Sequence, residues 1–195
     1  MPEQRKYRLP LTQGDLMVRS LHDGDGADIL AYRSDPAIAR QQYWEPFTAE
    51  GVAMLLASQA HIRPGMYGVP LILAAEFEGT VVGDFPLTIN VPEYRQGEVG
   101  FSFHQGYTGR GLASRTLAIV LGFGFIQLGL HRITAATFAD NERAWRLMER
   151  VGMRREAHLI HDGFVRGRWM DVFGYGMLAD EWQARHPGLV AVVSP

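Results

Sequence analysis

Residues 98–114 of the chain read EVGFSFHQGYTGRGLAS, and this is the most informative stretch of the sequence. Its first part, residues 98–104, alternates polar and apolar side chains and predicts a half-buried strand. A turn with Gly109 and Gly111 follows, and apolar side chains at helical spacing predict a helix over residues 112–128. Because the first amides of such a helix lack partners within it, the stretch predicts a site for a phosphate or pyrophosphate.

The glycine loop has two interpretations. It does not follow the Walker pattern G-x-x-x-x-G-K-[ST], so nucleotide hydrolysis is not indicated. Arg110 adds positive charge at its rim, which favours an anionic ligand. Alternatively, the two glycines only ease a tight turn between a strand and a helix. The loop alone does not distinguish a ligand site from a structural turn, so the other motifs of the chain are needed.

Strands and helices alternate outward from this loop. Pro86 within one strand predicts an edge position or a bulge, and Glu78-Gly79 predicts a hairpin turn. The mixture predicts an α/β or α+β domain. Predicted strands cover residues 17–21, 68–77, 80–89, 132–138, 156–160 and 172–177, with a turn at 163–168; predicted helices cover residues 28–38, 48–62 and 141–151, and residues 1–14 form a loose lead-in.

Composition excludes several classes of function. The 195 residues fit one domain, 1–195, with a core at about 16–182, a flexible N-terminal lead-in and a flexible C-terminal tail. Nineteen Lys and Arg against 21 Asp and Glu give a net charge of −2, so a nucleic-acid partner is not indicated. The chain has no cysteine, which excludes disulfides, thiolate metal sites and an acyl-cysteine mechanism. Since no apolar stretch reaches the ~18–20 residues of a membrane span and no secretory signal is evident, we expect no membrane partner and a cytoplasmic location.

Several motifs together resemble one family. Residues 108–113, TGRGLA, are similar to the pyrophosphate loop of the GNAT acetyltransferases, Gln/Arg-x-x-Gly-x-Gly/Ala. Residues 137–154 resemble the second signature of that family, T-x-x-x-N followed by ExxGF. Trp169-Met170-Asp171 is similar to the W-x-D of the RimJ/RimL branch, which modifies the N-termini of ribosomal proteins, and residues 34–36 and 44–48 also look like that branch. The resemblance spans roughly residues 16–182.

The resemblance implies a central, mostly antiparallel sheet flanked by helices and splayed between the strands at 98–104 and 132–138. Acetyl-CoA would lie in the split, with its thioester along the first strand and its pyrophosphate on backbone amides of the glycine loop. No metal is implied, and a homodimer is expected from the family. The cofactor-binding residues implied are Phe101, Phe103, Thr108, Gly109, Arg110, Gly111, Leu112, Ala113, Ser114 and Asn141, the last at the pantetheine arm.

Transfer of an acetyl group to an amine needs a neutral nucleophile. A lysine amine with a pKa of about 10.4 is rarely neutral at pH 7, whereas an α-amine near ~7.8 is neutral about one time in seven. Glu98 is the candidate general base because it begins the strand expected to face the thioester, although it also fits a solvated carboxylate. A backbone N–H of that strand is the simplest donor to the oxyanion.

The acceptor side and the leaving group are less well defined by the sequence. Tyr43 and Trp44 fit an acceptor pocket or the apolar edge of the first helices, and Asp171 fits the acceptor side or a role in pinning the last hairpin. At the positions where relatives place a tyrosine or a serine to protonate the thiolate, this chain has Met148 and Ala144, which leaves Asn141 as the catalytic candidate there. The segment from His158 to Asp162 contains two histidines, but no third ligand lies at useful spacing, so no metal site is predicted.

The sequence therefore predicts an acetyl-CoA-dependent N-acetyltransferase that acts on a primary amine by direct attack, with a peptide or protein N-terminal α-amine as the expected acceptor. Two alternatives stay open. One is an enzyme for a small-molecule amine such as an aminoglycoside or a polyamine. The other is a weakly catalytic acyl-CoA-binding domain, which the residues at 144 and 148 motivate.

Overall fold

Residues 7–187 are described by the computed structural model of the chain. The strands are β1 (Leu11–Gln13), β2 (Leu16–Ser20), β3 (Leu71–Phe77), β4 (Thr80–Val91), β5 (Gln96–Val99), β6 (Ser102–Phe103), β7 (Arg132–Phe138), β8 (Arg154–Val165) and β9 (Arg168–Leu178). The helices are α1 (Gly26–Arg33), α2 (Pro36–Ala39), α3 (Ala49–Gln59), α4 (Leu112–Gly122), α5 (Glu142–Arg150) and α6 (Ala179–Arg185). One nine-stranded sheet has the order β1-β2-β3-β4-β5-β7-β9-β8, and β6 pairs with β4.

Helices cover both faces of this sheet. The larger core forms where α4 packs its apolar side, including Leu117 and Leu121, against side chains of the strands such as Leu73 and Phe85. The smaller core lies among α1, α2 and α3 on the other face. Along α4 the buried residues lie on one side, as the helical period predicts, whereas residues 71–75 of β3 are buried on both faces of the sheet, so burial of apolar area holds the layers together. Phe123 and Phe125, expected in the core, are buried as well.

Several boundaries of helices and strands differ from the predicted ones. The helix expected over residues 28–38 is divided, because Asp35 precedes Pro36 and is held extended, with φ −71° and ψ 117°. Asp35 then caps α2 by accepting from the Ala37 N–H. The helix expected over residues 112–128 ends as α4 at Gly122 and continues as a π-helical turn over Phe123–Gln127. Part of the supposedly loose lead-in is ordered, since β1 pairs with β2.

Pro86 interrupts the sheet ladder at its centre. The strand β4 pairs with β5 at Leu87↔Val99 and with β6 at Asp84↔Ser102, in the same register on both sides of the gap. In the gap, the Gly100 N–H donates to the Pro86 carbonyl at 2.9 Å, but Pro86 has no N–H to donate in return. The strand predicted over residues 98–104 is therefore two short strands, and the predictions of an edge or a bulge at Pro86 were wrong because β4 is an interior strand with no inserted residue there.

The sheet splays where β5 leaves β7. These two strands are parallel and pair only at Gln96↔Arg132, Gly97↔Ile133 and Glu98↔Thr134, whereas the other strand pairs are antiparallel. Past Thr134, the residues of β7 and those after β5 line opposite walls of a cavity. The split predicted between these two strands is thus present.

A long hairpin forms the far end of the sheet. Both of its strands, β8 and β9, are longer than the predicted segments 156–160 and 172–177, and the turn is confined to Arg166 and Gly167, both at positive φ, rather than spread over 163–168. Much of β8 is exposed, so its apolar pattern was weak in the sequence. Within residues 7–187, no helix is long and apolar enough to cross a membrane. The predicted C-terminal tail lies largely outside the described residues.

Candidate active site

The start of α4 presents a row of unpaired amides. Within residues 7–187, the N–H groups of residues 109–114 have no hydrogen-bond acceptor, and the first backbone bond of the helix runs from the Arg115 N–H to the Gly111 carbonyl at 3.0 Å. Thr108 differs, because its N–H and its hydroxyl both donate to the Gln105 carbonyl. The row of free donors therefore begins at Gly109, one residue later than predicted.

The two glycines of the loop are required by conformation. Gly109 has φ +81° and Gly111, the residue that precedes α4, has φ +73°. A Cβ atom at either position would meet nothing within 4 Å, so space is not the reason for glycine. Left-handed backbone at both positions turns the chain so that the amides point outward, and L side chains disfavour that conformation.

These amides open into a cavity of about 670 Å³ between α4, α5 and the residues that follow β5. Arg143, Arg146 and Arg150 line it, and Arg150 donates to the Ser114 hydroxyl at 3.3 Å. No Asp or Glu is among the described residues that line it. Arg146 also pairs with the exposed Glu142 at 3.0 Å, but no carboxylate is among the described lining residues, so the free amides and guanidinium groups favour a ligand that carries several negative charges.

A second cavity, of about 200 Å³, continues from the first into the split of the sheet. Glu98 is the one charged side chain among its described lining residues, and it accepts from the Asn90 amide at 3.3 Å. The other walls are largely apolar, with Phe138 and Val172 opposite Val99. A single, exposed carboxylate in such a cavity favours a ligand with one positive charge.

Asn141 lies between the two cavities and lines both. Its Oδ1 accepts from the Ala144 N–H at 3.2 Å and caps α5, which fixes the orientation of the amide. The Nδ2 group has no partner within residues 7–187 and is left as a donor. Met148 is fully buried, so the position where relatives place a tyrosine belongs to the core.

The Phe101 N–H is a second free donor at this junction. Gly100 and His104 donate to β4 carbonyls, and because backbone groups alternate along a strand, the N–H of Phe101 faces away from β4. It has no acceptor within residues 7–187. Phe101 lines both cavities, and its carbonyl accepts from the Gln42 amide at 3.2 Å.

Gln41 and Gln42, which were not predicted from the sequence, also line both cavities. The Oε1 atom of Gln41 is buried and has no hydrogen-bond donor within residues 7–187. A buried acceptor without a partner is costly, so it suits a ligand that brings an N–H group. Nothing in the local sequence marks these residues, except that they precede Tyr43.

The structure brings most of the predicted site residues to the cavities. Tyr43 lines the smaller one, where its ring packs on Phe138 with centroids 4.9 Å apart. Burial and the negative charge of Asp162 raise the pKa of the Tyr43 hydroxyl, so it stays a neutral donor. Of the predicted cofactor-binding residues, those that line the larger cavity are Phe101, Phe103, Thr108, Gly109, Gly111, Leu112, Ala113, Ser114 and Asn141.

Three predicted residues lie elsewhere. The Arg110 guanidinium packs over the ring of Tyr107, with 5.6 Å to the centroid, and lines neither cavity. Trp44 belongs to the smaller core, where its ring packs on Phe47, so it is not part of the pocket wall. A loop aromatic can pack on either face of its segment, and the sequence did not show which.

Asp171 also lines neither cavity. It accepts from the His161 N–H at 2.9 Å and lies 2.8 Å from Nε2 of His158, and these contacts lower the pKa of its carboxyl. The contacts fit the alternative role of pinning the last hairpin. Within residues 7–187, no group of three or more His, Cys, Asp or Glu side chains is arranged to hold a metal ion.

A buried ion pair supports the segment that carries Tyr43. Asp84 on β4 is fully buried and accepts from both Nε and Nη2 of Arg33, at 2.9 and 2.6 Å, and from the Tyr32 hydroxyl at 2.6 Å. Burial and the charge of Asp84 raise the pKa of Tyr32 well above its usual value, so this hydroxyl is a permanent donor. The Arg33 guanidinium lies over the Trp44 ring, 5.1 Å from its centroid.

Comparison with known proteins places this geometry in context. The acetyltransferase (GNAT) domain family matches residues 15–154. YnaD, an uncharacterized N-acetyltransferase of Bacillus subtilis (strain 168), is 34% identical over 172 residues, which cover 88% of this chain and 98% of the relative. Spermidine N-acetyltransferase from Vibrio cholerae, solved in complex with CoA and spermine, has a TM-score of 0.76 at 24% identity, covering 87% of this chain and 99% of the other.

Ribosomal-protein-S5-alanine acetyltransferase from Vibrio fischeri has a TM-score of 0.78 at 21% identity, covering 90% of this chain and 99% of the other. At these identities the two solved structures establish the fold, and they confirm the predicted mixed α/β architecture with a mostly antiparallel, splayed sheet. The acceptors for which these two proteins are named differ, so the shared fold does not select between them.

Proposed function

Since the chain belongs to the GNAT acetyltransferase family, we propose that it transfers the acetyl group of acetyl-CoA to the α-amine of a peptide or protein. The observation that carries this proposal is the contrast between the two joined cavities. The larger is lined by arginines and free amides without a carboxylate, and the smaller by one carboxylate without a cation. An anionic donor and a cationic acceptor would each find a complementary wall and meet at the junction.

The chain has the groups needed to hold acetyl-CoA. The free amides of residues 109–114, together with the positive end of the α4 dipole, would bind the diphosphate. Arg143, Arg146 and Arg150 line the same cavity and would bind the remaining phosphate. The apolar walls at Phe101 and Phe103 fit the uncharged arm that connects phosphate to sulfur.

Each chemical step has a candidate group. The amine nitrogen attacks the thioester carbon, a C–N bond forms, and the C–S bond breaks with its electron pair on sulfur. Glu98 takes the proton that the amine loses, and this proton or one from water reaches the thiolate, so the products are an amide and free CoA thiol. The Phe101 N–H would donate to the thioester oxygen as negative charge develops there. The free Nδ2 of Asn141 would donate to the departing sulfur.

A peptide α-amine is the proposed acceptor for two reasons. Its pKa of about 7.8 leaves a useful neutral fraction at pH 7, which suits a site with one exposed carboxylate as its base. The resemblance to the RimJ/RimL branch, carried by residues 34–36, 44–48 and 169–171, points to the same acceptor class. The single carboxylate also suits one ammonium group better than the several of a polyamine.

A small-molecule amine is the second candidate. Asp162 lies close enough to Tyr43 to shift its pKa, so a second carboxylate stands near the rim of the smaller cavity. Two carboxylates along one path would suit a diamine or polyamine. Homodimerisation stays a prediction from the family resemblance.

Release of CoA thiol from acetyl-CoA tests the proposal, with the product identified by mass spectrometry. The panel consists of peptides with free N-termini, the same peptides with blocked N-termini, and spermidine and spermine. Acetylation at the α-amine of free peptides alone supports the proposal, and turnover of spermidine or spermine alone supports the second candidate. Binding of CoA without turnover of any amine would leave an acyl-CoA-binding domain and overturn the enzymatic proposal.

The role of Glu98 is tested in the same assay. Glu98→Gln is expected to lower kcat/KM by about 10²- to 10⁴-fold, the usual contribution of a general base. Glu93→Gln, at an exposed position that lines neither cavity, is the matched control and is expected to keep wild-type activity. Equal activity of the two variants would remove Glu98 from the mechanism.

A further inference from the structure

Residues 39–44 form one wall of the junction between the two cavities. The segment carries Gln41, Gln42 and Tyr43, all of which line the smaller cavity. The backbone N–H groups of residues 39–42 donate to carbonyls of residues 35–39, but no backbone bond from the N–H of Tyr43 or Trp44 occurs within residues 7–187. The second half of the segment, which lacks such bonds, needs other contacts to keep one conformation. We call it the wall segment.

The side chain of Arg166 supplies such contacts from far away in the sequence. Its Nη2 group donates to the Ala39 carbonyl at 3.2 Å and to the Trp44 carbonyl at 2.8 Å. These are the first and last residues of the wall segment, so one guanidinium ties its two ends together. The Nε group lies 3.2 Å from Oε1 of Glu45.

The position of Arg166 is also fixed. It occupies the tip of the β8–β9 hairpin at φ +50°, followed by Gly167 at φ +74°, which is the geometry of a tight two-residue turn. Lower on the same hairpin, Gly163 contacts the wall segment directly, since a Cβ atom there would lie 3.0 Å from the Tyr43 hydroxyl. The hairpin therefore meets the wall segment at two points, one through packing and one through hydrogen bonds.

We propose that Arg166 is a positioning residue that latches the wall segment and thereby forms the acceptor side of the site. The guanidinium suits this task because the two N–H bonds of Nη2 lie in fixed directions, so this one nitrogen can bridge the two carbonyls. The ion pair to Glu45 contributes little, because that carboxylate is 78% exposed. The part of the inference that concerns acceptor binding rests on the proposed function.

Two readouts test the latch. Hydrogen exchange of residues 39–47 reports directly on the wall segment and needs no acceptor. Steady-state kinetics, with the most rapidly acetylated amine of the panel, reports on the acceptor side, and calorimetry with CoA reports on the larger cavity. Thermal unfolding of each variant checks that the fold is intact.

Arg166→Ala is expected to speed exchange in residues 39–47 and to raise KM for the acceptor about tenfold, with kcat changed by less than about threefold; the Kd of CoA should change less than KM, because Gln41 and Gln42 line both cavities whereas Tyr43 lines the smaller one alone. Arg166→Lys keeps the charge but replaces the planar NH2 group with a freely rotating ammonium, which has no fixed geometry between the two carbonyls, so it is expected to resemble the alanine variant. Glu45→Gln is expected to stay within about twofold of wild type. Arg168→Ala is the matched control, because Arg168 lies on the same hairpin and its side chain has no hydrogen bond or ion pair within residues 7–187.

The outcomes separate the two proposals. If Arg166→Ala matches Arg168→Ala in both exchange and KM, the latch is refuted. If Glu45→Gln reproduces the loss and Arg166→Lys restores wild-type behaviour, the ion pair acts instead of the carbonyl bridge, and the latch as proposed is also wrong. If the wild-type protein acetylates no amine, the proposed function fails, and faster exchange in Arg166→Ala still supports the latch.

Discussion

Replacing Gly111 by alanine tests the geometry on which the anion site depends. Gly111 has φ +73°, and an L-residue in left-handed conformation costs about 1–2 kcal/mol. A Cβ atom there meets nothing within 4 Å, so this conformational cost is the whole effect. If the free protein relaxes to negative φ, the unpaired amides at the start of α4 turn away, and CoA binding has to restore them. The cost then appears as weaker binding, about five- to thirtyfold in Kd.

The control is Gly79→Ala in the turn between β3 and β4. Gly79 has φ +80°, and a Cβ atom there would also meet nothing within 4 Å, but Gly79 lines neither cavity. The same cost should therefore appear there only as a lower free energy of unfolding. Calorimetric titration with CoA and urea unfolding of both variants separate the two effects. Equal affinity of Gly111→Ala and Gly79→Ala for CoA would show that left-handed backbone at Gly111 does not hold the amides in their binding orientation.

Three further predictions concern the walls of the site. Gly163→Ala is expected to raise the KM for the acceptor without changing CoA affinity, since its Cβ would lie 2.9 Å from Cε1 of Phe138 and 3.0 Å from the Tyr43 hydroxyl, two side chains that line the smaller cavity; unchanged acceptor kinetics would contradict this. Asp84→Ala is expected to lower the free energy of unfolding by about 3–5 kcal/mol in urea titrations, because it leaves Arg33 buried and unpaired, and a loss below about 1 kcal/mol would contradict it. The His161 N–H lowers the pKa of the Asp171 carboxyl, so the ionised carboxylate stabilises the folded state. This stabilisation is complete above about pH 4, near the unfolded-state pKa, and is lost as the pH falls through the folded-state pKa. Asp171→Asn should therefore show a smaller fall in Tm between about pH 5 and pH 2 than the wild type, and an equal fall would count against this assignment.

The row of free amides at the start of α4 could be anticipated because its determinants are local in sequence. A strand, two glycines at fixed spacing and a helix start are consecutive, so their geometry follows from backbone preferences alone. The cap at Asn141 is local in the same sense. The residues of the glycine loop and of the cap therefore predict their own local conformation from the sequence.

The acceptor side could not be read in this way because its parts are distant in sequence. Gln41 has no local pattern, and its role depends on a cavity that also needs β5, β7 and α5. Trp44 fits a pocket on sequence grounds since aromatic residues suit both pockets and cores, and only the packing on Phe47 decides. The contact of Arg166 with Trp44 spans 122 positions, which no motif search within one segment can detect.

The ladder gap at Pro86 was not foreseen in its actual form either. A proline within an apolar run favours an edge strand or a bulge on general grounds. Here an interior strand contains the proline. The missing N–H would have donated to the carbonyl of Gly100, and Gly100 lies where the predicted single strand is divided into β5 and β6. The strand opposite Pro86, rather than the local sequence of β4, therefore determines that this proline lies in an interior strand.

The hairpin that carries Arg166 begins at Arg154, the residue where the match to the family ends. The matched segment thus contains the glycine loop and α5, whereas the hairpin lies almost wholly beyond it. If Arg166 acts as proposed, the acceptor side is built from residues 39–44, inside the matched segment, and from a hairpin outside it. Grafting the hairpin of a relative with a different acceptor, together with its matching residues 39–44, should transfer that preference in a chimera.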